Sequence, residues 1–198
     1  MAPLFRDAIP DDLSPLAELA RATFIATYAH TFAPGDLEAH LEAKLSDACV
    51  AGWIADDRVL LAVGDDGALL GFAQIAAAQP EGFAGLPRPG DIALQRLYVS
   101  DTARGRGIGA SLIASVLAAA PADADVYLDV WVENLGAQRL YARHGFGIVG
   151  KKVFETKSGI NAGDDLVMVR RAQGQAGSRA GRPTSEGSAS LRSGCLAR

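Results

Sequence analysis

The chain has 198 residues, 49% of them hydrophobic, which suits one substantial core and leaves too little chain for two independent domains of ordinary size. Its formal net charge is -4, and the segment after Arg171 holds four arginines and one glutamate, so residues 1–171 carry about -7. This negative charge disfavours a nucleic-acid groove and weakly favours a cationic small substrate. No run of roughly 18 to 20 apolar residues and no basic-then-apolar leader occurs, so we expect a cytoplasmic protein without a membrane span.

The first part of the chain is predicted to alternate strands and helices. Residues 4–8 are a short strand candidate, and residues 10–32 carry the apolar stripe of a helix. One or two further helices are predicted over 34–57, the first of them capped near Asp36. Gly64–Gly67 reads GDDG between two apolar runs, which predicts a β-hairpin because Asp and Gly accept the positive φ of a tight turn.

The second part is predicted to place a helix between two parallel strands. Residues 91–99 and 125–132 are strand candidates, and a helix over 108–120 joins them. Strands connected by such a crossover are parallel. Another helix is predicted over 134–145. The closing strand pair is 146–155 and 164–171.

These elements predict a mixed α/β fold in a single domain over residues 1–171. The sheet is expected to be mostly antiparallel, with about six to seven strands, one central parallel pair and helices on both faces. Residues 172–198 are dominated by Gly, Ser, Ala and Arg and have almost no large apolar side chains, so they are predicted to form a disordered tail.

The sequence YVSDTARGRGIGASLI at 98–113 joins a strand end, a glycine-rich loop and an apolar helix, a pattern that fits three unrelated phosphate-binding designs. A Walker A loop needs a lysine directly after its glycines, and none follows here, which excludes that design. The dinucleotide fingerprint G-x-G-x-x-G/A is matched by Gly105, Gly107 and Ala110. Asp129 follows roughly 20 residues later, where a ribose-binding carboxylate is expected.

Three observations oppose a dinucleotide-binding domain. The strand ends near Val99, several residues before the first glycine, and Asp129 lies inside a strand. Only about 40 residues remain before the tail, too few to complete a doubly wound domain. The third design, Q/R-x-x-G-x-G/A, is matched by Arg104, Gly107 and Gly109 between a strand and a helix.

This third match resembles the GNAT superfamily of acetyl-CoA-dependent N-acetyltransferases. LQRLYVSDTARGRGIGASLI at 94–113 is similar to that family's strand, loop and helix. VWVENLGAQRLYARHGFGIVG at 130–150 is similar to its second signature, an asparagine after a strand and a tyrosine on the following helix. The resemblance extends from about Leu4 to Arg171, is specific over 94–150, and implies acetyl-CoA as cosubstrate.

The resemblance implies that the pyrophosphate of coenzyme A binds where the loop enters its helix. Unpaired N–H groups and the positive end of the helix dipole stabilise an anion there, and glycines let the backbone approach it. The preceding strand is implied to pair with the pantetheine arm, with one main-chain N–H polarising the thioester carbonyl. The implied coenzyme A-binding residues are Leu97, Tyr98, Val99, Arg104, Gly105, Arg106, Gly107, Ile108, Gly109, Ala110, Asn134 and Tyr141.

Tyr141 is the candidate catalytic residue. When an amine attacks a thioester, the leaving thiolate has to be protonated, and a positioned phenol can do this. The alternative is a packing role on the buried face of its helix, and the motif favours the catalytic role. Asn134 has two compatible roles, a hydrogen bond to pantetheine and the N-cap of its helix.

The general base is left open by the sequence. Many family members carry a glutamate in the strand before the loop, where this chain has Ala93. Asp91, Asp129 and a water chain are the alternatives. Trp131, within a strand, is assigned to packing. The residues expected at the acceptor site are Tyr28, Phe32, Asp91 and Gln95.

The resulting hypothesis is an N-acetyltransferase in which a primary amine attacks acetyl-CoA directly, since no cysteine or serine stands in a nucleophile setting. The expected acceptor is a small amine, a polyamine, an amino acid or a peptide N-terminus, and TFIATYAHTF and GDDLVMVR look similar to small-amine and polyamine members. His30, His40 and His144 lack metal-ligand spacing, so no metal is expected, and a homodimer is compatible with the sequence. The alternatives are a non-catalytic acyl-CoA-binding sensor and, less favoured, an NAD(P)-dependent oxidoreductase.

Overall fold

A mixed sheet with helices on both faces organises the chain. The computed structural model describes residues 2–33, 35–83, 85–155 and 161–172. The strands are β1 (Leu4–Asp7), β2 (Arg58–Val63), β3 (Leu69–Ala77), β4 (Ile92–Val99), β5 (Val126–Trp131), β6 (Gly147–Glu155) and β7 (Asn161–Arg170). The α-helices are α1 (Leu13–Tyr28), α2 (Asp36–Leu45), α3 (Asp47–Asp56), α4 (Ile108–Ala119) and α5 (Leu135–Arg143). None of these described helices combines the length and the hydropathy needed to cross a membrane.

The parallel pair predicted from the crossover helix is β4 with β5. The sheet order is β1-β2-β3-β4-β5-β7-β6, and the other strand pairs of the described chain are antiparallel. The parallel register contains Ile92 opposite Val126 and Ala93 opposite Tyr127. Beyond these residues the two strands pair no further, so they diverge toward their carboxyl ends. The predicted fold class is confirmed, and the divergence opens the middle of the sheet.

The predicted closing strand pair is confirmed, with a topology that the sequence did not predict. β7 lies between β5 and β6 and is antiparallel to both. Leu166–Val169 in its centre are all buried, as expected for a strand with a neighbour on each edge. Apolar runs do not specify which strand lies beside β5, so this insertion depends on tertiary contacts.

Along β2, side chains alternate between two cores, one on each face of the sheet. In β2, Leu60 and Ala62 join the core under α4, whereas Val59 and Leu61 join the core under α1, α2 and α3. The helices bury matching apolar stripes against these faces, which confirms the prediction of helices on both sides. The fully buried stripe of α1 is Leu16, Ala17, Ala20 and Phe24.

Two buried carboxylates join the amino ends of β4 and β5. Asp91 is 3% exposed, and its oxygens accept hydrogen bonds from the Arg88 N–H at 2.8 Å and the Asp125 N–H at 2.9 Å. Asp125 accepts from Arg171 Nη1 at 2.7 Å and from the Ala172 N–H at 2.8 Å. These bonds hold the parallel strands together immediately before the point from which they diverge.

The same cluster holds Ala172, the first residue of the predicted tail. Ala172 is buried, and its N–H is one of the donors to Asp125. This residue therefore packs against the sheet. The rest of the predicted tail, 173–198, lies outside the described residues.

Replacing Asp125 by Asn is expected to destabilise the fold by about 2–4 kcal/mol, because the amide nitrogen would face one of the two donors. Burial opposes ionisation, but hydrogen bonds from Ala172 and Arg171 and the charges of Arg171 and Arg88 lower the pKa of Asp125 below 3.8. A carboxyl group with a lowered folded-state pKa stabilises the fold above its unfolded pKa, and this contribution is lost as the pH falls through the folded value. Urea unfolding at pH 7 and at successively lower pH measures both effects.

The matched control for this substitution is Asp123→Asn, since the Asp123 side chain is exposed two residues away. It should change the free energy of unfolding by less than about 0.5 kcal/mol at every pH. Equal destabilisation by the two variants, or an unchanged acid transition in Asp125→Asn, would contradict the stabilising role of the Asp125 carboxylate.

Candidate active site

The divergence of β4 and β5 opens a cleft of about 780 Å³. Its walls are the facing edges of these strands, the glycine-rich loop with the first turn of α4, the helix α5 and the last turns of α1. No described strand pairs with β4 on this side beyond Ala93. The edge of β4 therefore offers backbone N–H and C=O groups to an extended ligand in the cleft.

A β-bulge bends β4 beside the cleft. Arg96 lies opposite Gln74 of β3 and Leu94 lies opposite Ile75, so Gln95 has no opposing residue on β3. A bulged residue interrupts the ladder, bends its strand and increases the local twist. The bulge therefore adds to the divergence of the strands, and it places Gln95, a predicted acceptor-site residue, on the cleft wall.

The glycine-rich loop ends at the amino terminus of α4. Gly107 is the N-cap with φ 80°, and Gly105 has φ 76°, both in the left-handed region that favours glycine. No side chain of the described chain caps this helix, and a Cβ at either glycine would have no described atom within 4 Å. The N–H groups of the first turn thus face open space, which suits an anion such as a phosphate.

Other predicted loop residues have different surroundings. Arg104 lines the cleft, and its guanidinium pairs with Asp101 at 3.0 Å at the exposed rim. Arg106 is exposed and is not part of the cleft lining. The Ile108 side chain joins the core below α4, so Ile108 can contribute only backbone atoms. The remaining predicted residues of this region that line the cleft are Leu97, Tyr98, Val99, Gly105, Gly107, Gly109 and Ala110.

The helix α5 begins with Asn134 as its N-cap. Asn134 Oδ1 accepts a hydrogen bond from the Ala137 N–H at 3.1 Å, so the capping role expected from the sequence is present. Asn134 also lines the cleft, and its Nδ2 group makes no hydrogen bond within the described part of the chain. One side chain can therefore cap the helix and donate to a ligand.

Tyr141 reaches the cleft from the second turn of α5. Its side chain is 7% exposed, and its ring packs edge-on against Phe146 with the centroids 5.9 Å apart. Burial raises the pKa of Tyr141, and the nearby hydroxyl of Tyr28 and carboxylate of Asp129 raise it further. The phenol therefore stays protonated at neutral pH and can donate a hydrogen bond or a proton into the cleft.

Aromatic side chains from the end of α1 and from β5 form another wall. Tyr28 lines the cleft and contacts Trp131, with the ring centroids 5.9 Å apart. Trp131, assigned to packing from the sequence, also lines the cleft, and the His30 ring lies 5.5 Å from it. Phe32 lies outside the lining and packs against Phe24 at 5.8 Å. Of the two aromatic residues predicted for the acceptor site, the structure thus brings only Tyr28 to the cleft.

Asp91 and Asp129, the two aspartates considered as the general base, occupy different places. Asp91, also predicted for the acceptor site, lies at the amino end of β4 and outside the cleft lining. Backbone N–H groups bind both of its oxygens, so Asp91 joins strands and is not placed to contact a substrate. Asp129 lines the cleft, and its carboxylate, 11% exposed, forms an ion pair with Lys152.

A buried arginine also lines the cleft and was missed in the sequence. Arg96 is 3% exposed, donates from Nη1 to Gln74 Oε1 at 2.5 Å, and lies 4.1 Å from the ring centroid of Trp53. Burial lowers the pKa of Arg96 to about 10, while nearby acidic groups, Asp129 among them, act in the opposite direction. Arg96 is therefore cationic at neutral pH. Alternation along a strand does not distinguish such a buried arginine from a solvated one.

Comparison with known proteins identifies the family. A family model described as Acetyltransferase (GNAT) family matches residues 16–146. The chain belongs to the GNAT family. An uncharacterized N-acetyltransferase of Mycobacterium bovis is 33% identical over 165 residues, which cover 80% of this GNAT chain and 97% of the relative. The predicted class of enzyme, an acyltransferase, is confirmed by these matches.

Solved N-acetyltransferase structures share the fold. The PaiA N-acetyltransferase of Thermoplasma acidophilum, solved with coenzyme A, is 22% identical and has a TM-score of 0.66, with 86% of this chain and 99% of that chain covered. The ribosomal-protein-alanine N-acetyltransferase of Brucella melitensis is 25% identical and has a TM-score of 0.62, with 85% of this chain and 99% of that chain covered.

Within the described ranges, no three His, Cys, Asp or Glu side chains are grouped as metal ligands.

Proposed function

We propose that this GNAT enzyme transfers the acetyl group of acetyl-CoA to a primary amine by direct attack of the amine on the thioester. The observation that carries the proposal is one cleft with three parts: the amino terminus of α4, the open edge of β4 and the phenol of Tyr141. These parts suit, in turn, a pyrophosphate, an extended amide-containing arm and a leaving thiolate. The T. acidophilum neighbour was solved with coenzyme A, which supports the same ligand here.

The phosphates are assigned to the loop before α4. Gly105 and Gly107 let the backbone N–H groups approach a pyrophosphate, because no Cβ holds the ligand away. A Cβ at Gly109 would instead meet the Leu140 side chain at 3.3 Å, so this glycine allows close packing of α4. Arg104 at the cleft rim and the exposed Arg106 are proposed to add charge-assisted hydrogen bonds. A helix terminus with open backbone donors fits this role without any rearrangement of the described chain.

The pantetheine arm is proposed to lie along β4, between the diverging strands. Residues 97–99 supply main-chain hydrogen-bonding groups, and Asn134 supplies its Nδ2 donor. A β4 N–H directed at the thioester carbonyl would stabilise the negative charge that develops on its oxygen. Loss of one such donor in other enzymes costs about 3–4 kcal/mol of transition-state stabilisation.

Direct attack is favoured over a covalent enzyme intermediate. The described lining contains no cysteine or serine, and its threonines are Thr23 and Thr27. Thr23 donates its hydroxyl proton to the Leu19 carbonyl at 2.7 Å, and Thr27 donates to the Thr23 carbonyl at 2.8 Å. Hydroxyl groups engaged in this way, with no base beside them, are not activated nucleophiles. Tyr141 remains as the group that protonates the leaving thiolate.

The acceptor is proposed to be a small amine, a polyamine, an amino acid or a peptide N-terminus. The acidic charge of residues 1–171 favours a cationic acceptor. The B. melitensis neighbour is named for an alanine of a ribosomal protein, which keeps peptide N-termini among the candidates. A panel that contains all four classes therefore has to be tested.

A thermal-shift assay and a thiol-release assay test the proposal together. Saturating acetyl-CoA or coenzyme A is expected to raise the melting temperature by several degrees, whereas NAD and NADP should leave it unchanged. Acetyl-CoA with the amine panel is expected to release free thiol. No response to either coenzyme A species would overturn the proposal. Binding without thiol release for any acceptor would favour a non-catalytic acyl-CoA sensor.

A further inference from the structure

We infer that Asp129 binds the ammonium group of the acceptor and takes its proton, and that Lys152 occupies this carboxylate until the acceptor arrives. The inference rests on the proposed acetyl transfer and names the group that frees the amine for attack. Three observations carry it: the position of Asp129 in the sheet, the charges around it and its ion pair with Lys152.

Asp129 lies on β5 at the point where β4 and β5 begin to diverge. Pairing of β4 with β5 ends at Ala93 and Tyr127, and strand side chains alternate, so Asp129 shares the face of Tyr127 but lies beyond the pairing. On β4, the residue two positions after Ala93 is the bulged Gln95. Asp129 and Gln95 therefore flank the start of the opening, and both line the cleft.

Charged and titratable groups surround Asp129. Arg96 on β4 and Tyr141 on α5 interact with its charge, and Lys152 on β6 forms the ion pair. Asp165 on β7 and Tyr28 on α1 both adjoin the neighbouring Trp131. Asp57 also acts on Arg96, so the carboxylates of this group outnumber its cations even while Lys152 is in place. When Lys152 moves out to solvent, the Asp129 charge loses its cation, and an alkylammonium group neutralises it.

Lys152 shows which kind of group this carboxylate accepts. Its Nζ atom pairs with Asp129 Oδ2 and reaches it from the edge strand β6 across β7. The lysine side chain is 35% exposed, so its tip can leave for solvent while the 11% exposed carboxylate stays in the cleft. A lysine head group is itself a primary alkylammonium, so an acceptor with the same head group fits the place that Lys152 vacates.

The proton balance requires two groups of this chain. The acceptor R–NH3+ gives one proton to an Asp129 carboxylate oxygen and becomes the free amine. Its nitrogen forms a bond to the acetyl carbon as the carbon–sulfur bond breaks, and the sulfur takes the hydroxyl proton of Tyr141. A second nitrogen proton returns to Tyr141, and Asp129 releases its proton to solvent. The products are the acetamide, the free thiol and one proton.

An Asp129→Asn variant is expected to lower kcat/KM for a primary amine by about 100-fold at pH 7, with the KM for acetyl-CoA unchanged. Because this variant depends on amine that solvent has already deprotonated, its kcat/KM should rise with pH toward the amine's own pKa of about 10.4, and its defect should shrink. A purely structural role would not change this pH profile. Wild-type turnover and an unchanged profile in Asp129→Asn would overturn the inference and leave the proposed acetyl transfer intact.

Two control variants separate this role from the loss of a charge or of an ion pair. Asp123→Asn removes an exposed carboxylate outside the cleft lining and should leave kcat/KM within about twofold of wild type. Lys152→Gln should remain active with a several-fold lower acceptor KM, because no side chain then competes for Asp129. A loss in Lys152→Gln as large as that in Asp129→Asn would show that the ion pair is structural, and it would overturn the inference.

A binding measurement tests the same idea without turnover. Titration of n-butylammonium chloride into the coenzyme A-saturated protein should change the tryptophan fluorescence, because Trp131 lines the cleft. The affinity is expected to fall about tenfold in Asp129→Asn and to rise in Lys152→Gln. Equal affinity in the wild type and in Asp129→Asn would overturn the inference even where no acetyl acceptor is found.

Discussion

A Tyr141→Phe variant is expected to lose about 10²- to 10⁴-fold in kcat while its affinity for coenzyme A stays close to that of the wild type. Tyr141 is the buried phenol of α5 that lines the cleft, and loss of its oxygen leaves the ring packing against Phe146 in place. The leaving thiolate then loses the proton donor assigned to it. Thiol-release kinetics with both substrates varied separate the change in kcat from changes in either KM.

The pH dependence of this step follows from the direction of the pKa shift. Burial first, and then the nearby Tyr28 and Asp129, raise the pKa of Tyr141 above its ordinary value of 10.0. An acid with a raised pKa keeps its proton until the pH exceeds that raised value. Wild-type kcat should therefore show no fall caused by ionisation of Tyr141 up to about pH 10.

The matched control is Tyr127→Phe. Tyr127 is fully buried outside the cleft lining, and its hydroxyl donates to the Leu86 carbonyl at 3.3 Å. This variant should lower the melting temperature and keep wild-type kcat. Full turnover in Tyr141→Phe, or equal losses of kcat in both variants, would contradict the assignment of Tyr141 as the acid.

The elements proposed to bind the cosubstrate were predictable because each has a local signal. The turn Gly64–Gly67 closes the hairpin of β2 and β3, with the Gly64 N–H bonded to the Ala68 carbonyl at 2.8 Å. A crossover helix requires the strands on either side of it to be parallel, as β4 and β5 are. Gly107 and Asn134 stand directly before helices, where glycine and asparagine are common N-caps. These signals lie within a few residues of the features they predict.

The proposed acceptor side of the cleft depends on contacts between distant segments, and the sequence predicted its lining only in part: Tyr28 and Gln95 line the cleft, whereas Phe32 and Asp91 do not. Asp91 and Asp129 both occur within or beside apolar strands. Which of them reaches the cleft depends on where β4 stops pairing with β5 and on the bulge at Gln95, and neither feature changes the alternation of side chains. Arg96 was missed for a related reason, because its burial depends on Trp53 from α3.

Gly107→Ala is expected to weaken coenzyme A binding by about 10- to 100-fold, or about 1.4–2.8 kcal/mol. Gly107 has φ 80°, so a side chain there strains the N-cap of α4 by about 1–2 kcal/mol. Its Cβ would also enter space in which the described chain has no atom within 4 Å. The proposed function assigns this space to the pyrophosphate. Isothermal titration with coenzyme A measures the loss.

Gly67→Ala separates the backbone strain from the effect on the ligand. Gly67 lies in the turn between β2 and β3 with φ 79°, and an added Cβ there likewise has no described atom within 4 Å. Both variants should lower the melting temperature by a similar amount because the strain is alike, yet only Gly107→Ala should lose affinity for coenzyme A. An unchanged dissociation constant in Gly107→Ala, or an equal loss in Gly67→Ala, would mean that the phosphates do not bind at the amino terminus of α4.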